Sequence, residues 1–414
     1  MSDALRFKVF TGPLDQDFSL STKTTASVGF ASRFVNRFAF DLFAMTMGTG
    51  VLALLMPRLS PALLGAGRIV WLANIFLFVA LCAAGIARLI QDPKAFFALF
   101  KDPKRSMFFG TLPMGLATIG NGTLIYGSSF FGRHFAGVSL GIFIADAVIA
   151  LASGFLIPHL MFTMQSHSIE KMTAIWLLPI VPAEVTSVSG GLLIPHLGHA
   201  TQVGVLWSSA VLWTLSVPIA MLVLGAVLIR LVVHGIPEAN SAVTSWLTLG
   251  PLGTGAAGML LIGSDAKVIF AHSTLASTGA VMDGVGLVLG LVLWGFGLWW
   301  WVSAIALTIR YVMKRNHPFN LGWWGFTFPL GVMTIATYLL GQETNYAPIS
   351  DLAKFMTLIL IGLWIVVATL SAKGFFNGSL PAVIETRELF YEAAESYPKK
   401  PQTYLALSDE IANG

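Results

Sequence analysis

The sequence predicts an all-α polytopic membrane protein of ten transmembrane helices, and its composition is the first reason. Hydrophobic residues make up 56% of the 414 residues and charged residues only 11%, whereas a soluble domain is about a quarter charged. The mean hydropathy is +0.78. The lone cysteine, Cys82, lies in an apolar run and excludes an intramolecular disulfide framework.

The second reason is the number of long apolar runs. A helix needs about 20 apolar residues to cross the hydrocarbon core of a bilayer. Runs of roughly this length or longer occur at 38–57, 64–90, 107–128, 136–162, 173–196, 203–233, 243–263, 279–309, 321–341 and 352–376. We number the corresponding helices 1 to 10.

The third reason is the distribution of basic residues. With both termini cytoplasmic, 19 of the 24 lysines and arginines fall on the cytoplasmic side and five on the other, as the positive-inside rule requires. An odd number of helices would separate the two basic tails. We expect a cytoplasmic tail at 1–33 without a cleavable signal peptide, a membrane domain at 34–376 and a second cytoplasmic tail at 377–414. We place the chain in the plasma or inner membrane.

The odd-numbered helices share a pattern of aromatic, proline and small residues. Helices 3, 5, 7 and 9 contain MFFGTLPMGLATIGNG, WLLPIVPAEVTSVSGG, WLTLGPLGTGAAG and WWGFTFPLGVMTIAT. Helix 1, FDLFAMTMGTG, keeps the glycines without the proline, and most even-numbered helices lack the pattern, although helix 6 has Pro218. The residues that we expect to kink or line the odd-numbered helices are Gly48, Gly50, Pro113, Gly115, Pro179, Pro182, Gly190, Pro251, Gly253, Pro329 and Gly331.

This alternation predicts which helices lie inside. A proline within a helix frees a backbone carbonyl, which is tolerated at membrane depth where protein or water satisfies it. Small residues also let helices approach closely. We therefore expect five kinked odd-numbered helices around a central pore and five straighter helices facing lipid. Glycine and proline are generally common in membrane helices, so the repeated alignment carries this prediction.

Three of these stretches resemble a known family. WLLPIVPAEVTSVSGG, GPLGTGAAG and WWGFTFPLGVMTIAT resemble signature segments of the tellurite-resistance/dicarboxylate transporter family, which includes slow anion channels, malic acid transporters and sulfite efflux pumps. The resemblance covers about residues 34–376. It implies five helical hairpins in pseudo-fivefold order around a pore, often in a homotrimer. GPLGTG looks most like the sulfite-efflux branch, whereas the acid in PAEV departs from both the sulfite and the malate branches.

Charge indicates what such a pore would carry. The odd-numbered helices have no lysine or arginine near their centres, and a pore of small residues with helix N-termini binds anions weakly enough to release them. We expect transport of a small anion, and the resemblance implies the order of candidates: sulfite or a similar oxyanion first, then C4-dicarboxylates such as malate, then nitrate and chloride. Membrane potential or the proton-motive force would drive it.

Phe328 is the candidate pore gate. The resemblance places it on the helix 9 phenylalanine that plugs the pore, directly before Pro329. Phe326 is the competitor, because two residues along a helix face different directions. From the residues alone, an ordinary packed aromatic remains the alternative for either ring.

Intramembrane acids are further candidates, because ionisable groups there are costly and often functional. Glu184 lies on a predicted pore helix and could couple protons or contact substrate, or else make a structural hydrogen bond. Asp146 is a weaker candidate. Asp41 and Arg37 are spaced for an ion pair at the membrane edge.

Other functions find less support in the sequence. His196 and His199 are spaced to share a metal ion on a helix, but no third ligand follows at a suitable spacing, so we expect no metal. No Walker A motif or catalytic constellation is present, and we expect neither a cofactor nor a nucleic-acid partner. A membrane-embedded enzyme or a scaffold without transport activity remains the alternative.

Overall fold

The computed structural model describes residues 34–314 and 319–377, and every regular element in this part of the chain is a helix. The tails predicted at 1–33 and 377–414 therefore lie outside the described residues, apart from Asn377. The ten principal helices are α1 (Ala44–Leu59), α2 (Leu64–Gln91), α3 (Thr111–Tyr126), α4 (Phe135–Thr163), α5 (Pro182–Leu193), α6 (His199–His234), α7 (Leu249–Phe270), α8 (Ala276–Met313), α9 (Phe328–Thr344) and α10 (Ala347–Phe376). A short helix, Pro93–Lys101, follows α2.

Eight helical segments within the described residues are long and apolar enough to cross a membrane. The other two principal helices, α3 and α5, have only 16 and 12 residues. The predicted span at 173–196 is broken into a 3-10 segment, Ala174–Leu177, a turn and then α5. The segment at the predicted fifth span is thus discontinuous, whereas the third continues directly from the 3-10 segment Ser106–Gly110 into α3.

Each odd-numbered helix is preceded by a 3-10 segment. These segments are Phe40–Phe43, Ser106–Gly110, Ala174–Leu177, Ala239–Trp246 and Leu321–Phe326. The prolines follow directly: Pro182 is the first residue of α5, Pro329 the second of α9, and Pro113 and Pro251 the third of α3 and α7. Proline suits the first turn of a helix because no intrahelical partner awaits its missing N–H group. The break that we expected in mid-helix is therefore a junction between 3-10 and α structure.

Burial separates the odd-numbered from the even-numbered helices. In the most apolar 18-residue windows of Phe40–Leu59, Ala239–Phe270 and Leu321–Thr344, 78%, 78% and 94% of residues are buried. The corresponding share is only 22–33% for the five spans that contain the even-numbered helices. The odd-numbered helices therefore form the interior of the described part of the chain.

The interior helices contact one another in a closed cycle. Helix α1 contacts α3, α3 contacts α5, α5 contacts α7, α7 contacts α9, and α9 contacts α1. Each even-numbered helix packs against the odd-numbered helix before it and against the next one in the cycle. The cycle leaves its axis bordered by all five odd-numbered helices.

Glycines allow these close contacts. A Cβ atom at Gly253 of α7 would lie 2.6 Å from the backbone nitrogen of Met333 in α9. One at Gly331 of α9 would lie 2.5 Å from the Val51 Cγ1 atom of α1. Because atoms cannot approach so closely, these two helix contacts depend on the absence of a side chain.

Candidate functional site

A large cavity opens where the N-terminal ends of the odd-numbered helices meet. Its volume is about 660 Å³. Ala44, Thr111 and Phe328, the first residues of α1, α3 and α9, line it, together with Leu178 before α5 and Leu247 before α7. The positive ends of five helix dipoles therefore face one space, and this favours negative charge there.

Charged side chains also border the large cavity. Lys104, Lys171 and Arg230 contribute positive charge, and Glu170 and Glu238 contribute negative charge. The guanidinium of Arg230 is largely engaged in holding loops: its Nε donates to the Glu170 carbonyl at 2.9 Å and its Nη1 to the Gly235 carbonyl at 2.6 Å. We had expected these three basic residues on the cytoplasmic side, and the structure brings them to one cavity.

A second, smaller cavity of about 20 Å³ lies on the axis of the cycle. Such a volume suits about one water molecule. All five odd-numbered helices contribute to its wall, through Val51, Leu54, Ala117, Thr118, Asn121, Val185, Val188, Thr254, Ala257, Phe328, Val332 and Ile335.

Phe328 is the residue that these two cavities share. It lines both of them, and its side chain is only 3% exposed. It is the first residue of α9, directly after the junction from the 3-10 segment. A change at this junction would move Phe328, which borders both the large cavity and the small one.

Phe326 lies in different surroundings and lines neither cavity. Its ring meets that of Trp246 edge to face at a centroid distance of 5.2 Å, and that of Trp323 at 5.7 Å. Its side chain is as buried as that of Phe328. The structure therefore places Phe326 in an aromatic cluster near the large cavity.

Known proteins give this geometry a context. The sequence profile of the SLAC1 family, described as voltage-dependent anion channels, matches residues 37–372. The chain belongs to this family. A sulfite efflux pump of Arthroderma otae is 32% identical over 81% of this chain and 90% of its own length. A sulfite efflux pump of Trichophyton rubrum is 31% identical over the same shares.

A more distant relative is named for a different substrate. The malic acid transport protein of Schizosaccharomyces pombe is 20% identical over 84% of this chain and 81% of its own length. The family and its sulfite-efflux branch, expected from the motifs of helices 5, 7 and 9, are thus confirmed.

In this SLAC1-family chain, Glu184 is fully buried within the first turn of α5. Neither of its carboxylate oxygens has a hydrogen-bond partner among the described residues. Thr254 of α7 is its polar neighbour, but the Thr254 hydroxyl donates to the Gly250 carbonyl at 2.7 Å. Since Thr254 lines the small cavity, one residue separates the Glu184 carboxyl group from that space.

Two other acids, Asp146 and Asp283, each have one oxygen with a partner, whereas Oδ2 of the buried Asp265 in α7 has none among the described residues. The hydroxyl of Thr186 on α5 donates to Asp146 Oδ2 on α4 at 2.7 Å, which gives Asp146 a contact between helices. Lys267 of α7 pairs with Asp283 of α8, with 2.6 Å between Nζ and Oδ2. Sequence spacing alone did not reveal this second pair, because α7 and α8 are antiparallel neighbours whose register only the fold sets.

The predicted kink residues mostly form helix contacts. Pro329 borders the large cavity, whereas the other prolines and glycines in that set border neither cavity. The walls are built from side chains that we did not single out, such as Val332, Thr118 and Asn121. In the sequence, such residues can be recognised because they recur at the spacing of one helix face, as Phe328, Val332 and Ile335 do from the start of α9.

Of the two histidines considered as metal ligands, His196 ends the 3-10 segment after α5 and His199 is the first residue of α6. The His196 ring packs edge to face on Phe135 at 5.4 Å, and His199 Nε2 lies 3.4 Å from the Ile269 carbonyl oxygen. Within the described residues, no group of three or more His, Cys, Asp or Glu side chains is arranged to hold a metal ion.

Proposed function

We propose that this protein carries small anions across the membrane through the axis of the helix cycle. Sulfite or a similarly small oxyanion is the first candidate substrate, followed by C4-dicarboxylates such as malate, then nitrate and chloride. The membrane potential or the proton-motive force drives efflux. The sulfite efflux pumps among the relatives support this order.

One observation carries the proposal. Phe328 lines both the large cavity and the small axial cavity, so its ring closes the path between them. In this proposal Phe328 is the gate and Phe326 supports it from the aromatic cluster of Trp246 and Trp323. Rotation of the Phe328 ring joins the two spaces.

The proposed architecture follows from the contact cycle. Ten membrane-crossing segments form five hairpins in pseudo-fivefold order, including the two segments that contain the short helices α3 and α5. Residues 34–376 form the transport domain, and both termini are cytoplasmic, in the plasma or inner membrane. The large cavity is then the cytoplasmic vestibule, where Lys104 and Lys171 concentrate anions. The protein assembles as a homotrimer with one pore per subunit, surrounded by lipid.

Glu184 is the proposed coupling residue. A carboxyl group that is fully buried and lacks a hydrogen-bond partner is costly to keep charged, and such groups in membrane proteins mark ion or proton pathways. Its nearness to the cavity-lining Thr254 allows proton binding to respond to the anion in the pore.

Flux measured side by side tests the proposed function. Purified protein in liposomes is given sulfite, malate, nitrate and chloride under a set membrane potential. We expect flux of at least one of these anions that depends on the potential, with sulfite the fastest. Protein-free liposomes serve as the control. Flux of none of the four by folded protein would overturn the proposal in favour of an enzyme or a scaffold.

A further inference from the structure

The polar side chains of the small axial cavity differ in what they can offer an anion. Of the residues that line this cavity, Thr118, Asn121 and Thr254 are polar and the rest are apolar. An anion that leaves water for such a space needs hydrogen-bond donors to replace its hydration shell. The question is which of the three polar side chains has a donor to give.

Thr118 has its hydrogen-bonding groups engaged. Its hydroxyl donates to the Gly115 carbonyl at 2.8 Å and accepts from Asn74 Nδ2 of α2 at 3.2 Å. A hydroxyl has a single hydrogen, so Thr118 has no second donor for an anion. Asn74 is itself fully buried and holds the Thr118 hydroxyl in this orientation.

Thr254 is engaged in the same way. Its hydroxyl donates to the Gly250 carbonyl one turn earlier at 2.7 Å, and its neighbour Glu184 does not line the small cavity. The backbone N–H groups around the small cavity are also used, because the lining residues beyond Phe328 lie inside α-helices.

Asn121 is different. Its side chain is 7% exposed and lines the cavity one helical turn after Ala117. Within the described part of the chain, no hydrogen bond to its amide group is formed, and its amide atoms are not among those sealed off from the cavity. A primary amide has two N–H donors, and both remain available.

We infer that the Asn121 side-chain amide is the anion-binding donor of the axial cavity, just beyond Phe328. The ligand is a compact monovalent anion, such as hydrogensulfite, nitrate or chloride. One neutral amide provides little compensation for the desolvation of a second charge, so divalent anions are disfavoured. Of the proposed substrates, this site therefore favours sulfite in its hydrogensulfite form, nitrate and chloride, and it moves C4-dicarboxylates to the end of the order. The inference rests on the proposed function and adds to it a binding site and a preference for monovalent anions.

The small volume fits this assignment. A cavity of about 20 Å³ accommodates about one water molecule, so an oxyanion fits only when the Phe328 ring has moved away. Opening of the gate and binding at Asn121 are then linked: the same movement that joins the cavities makes room at the amide. A single neutral donor also binds weakly enough for the anion to leave.

The test uses Phe328→Ala as the background, so that gate opening does not limit flux. Asn121→Leu removes both donors at similar size, and Asn121→Asp replaces the amide with a carboxyl group of nearly the same shape. Thr123→Val is the matched control: Thr123 is buried on the same helix, lines neither cavity and bonds only within α3. Liposome flux is measured against concentration for hydrogensulfite, nitrate, chloride and malate, alongside the thermal stability of each variant.

We expect Asn121→Leu to raise the half-saturating concentration of monovalent anions about ten- to hundredfold, the effect of losing one hydrogen bond to a charged group. Asn121→Asp should lower anion flux further. Thr123→Val should change neither the half-saturating concentration nor the flux more than about twofold. A merely structural role for Asn121 would lower stability and leave the half-saturating concentration unchanged.

Two results distinguish failure of the Asn121 assignment from failure of the proposed function. If Phe328→Ala conducts anions but Asn121→Leu and Asn121→Asp keep its half-saturating concentrations and anion preference, the assignment of Asn121 is wrong while the proposed function stands. If folded Phe328→Ala and wild-type protein both conduct none of the four anions, the proposed function fails and the inference fails with it. Should Asn121→Leu not fold, Asn121→Asp alone decides.

Discussion

At the scale of single residues, α5 and α9 each place one unusual side chain in an apolar interior. Phe328 borders both cavities, and Glu184 is fully buried without a hydrogen-bond partner among the described residues. Glu184 follows the turn that contains Pro179, and Phe328 follows the junction at Thr327 and directly precedes Pro329. Both side chains therefore lie beside a break in the helical structure of their segment.

Glu184 gives a prediction about coupling. Glu184→Gln keeps the size of the side chain but cannot exchange a proton, so we expect its anion flux to lose the dependence on pH that proton coupling at Glu184 would give the wild type. Asp146→Asn is the matched control, because Asp146 is equally buried but bonded to Thr186. An unchanged pH profile of flux in Glu184→Gln would rule out this role.

The elements were predictable to different degrees. The alternation of proline-containing and straighter runs indicated which segments are interior, and burial of the spans containing α1, α7 and α9 agrees with it. Their exact breaks were not predictable, because a proline is equally compatible with a mid-helix kink and with the first turn of a helix. The 3-10 segments before each odd-numbered helix carry no strong signal of their own.

The wall of the path was harder to predict than the helices. Prolines and glycines stand out in a sequence, but most of those singled out pack between helices rather than border a cavity. Which face of a helix points to the axis depends on its rotation, and that is set by neighbours such as Val51 against Gly331. Asn121 therefore became recognisable only in the folded chain.

The contact between α7 and α9 provides a prediction about stability. A side chain at Gly253 would collide with the backbone at Met333, so we expect Gly253→Val to lower the free energy of unfolding by about 1–3 kcal/mol or more. Gly284→Ala in α8 is the control, since nothing lies within 4 Å of its added methyl group. Thermal unfolding in detergent measures both, and equal midpoints would show that this contact tolerates a side chain.

On the scale of the whole molecule, the N-terminal ends of five interior helices and a set of basic side chains converge on one cavity. This polarity makes that end of the axis attractive to anions. The even-numbered helices enclose the cycle and expose large hydrophobic side chains such as Phe76, Phe155 and Leu222, as expected for surfaces that face lipid.

Lys104 gives a prediction about the electrostatic attraction of anions to the large cavity. A unit charge about 10 Å from the path changes the energy of an anion by about 0.4 kcal/mol in water-like surroundings, so Lys104→Gln should lower flux about twofold at low ionic strength. The difference should shrink at high ionic strength, where the Debye length falls to about 3 Å. Lys354→Gln, far along the chain and paired with Asp351 outside either cavity, is the control.

The proposed gate at Phe328 offers the most direct test of anion transport along the axis. Phe328→Ala removes the ring between the two cavities, and Phe326→Ala removes an equally buried ring that lines neither. Anion flux is measured in liposomes containing equal amounts of folded wild-type and variant protein. We predict that Phe328→Ala raises flux about tenfold or more, which corresponds to a barrier lowered by about 1.4 kcal/mol, and that Phe326→Ala does not. Unchanged flux in folded Phe328→Ala, or an equal rise in both variants, would contradict a gate at Phe328.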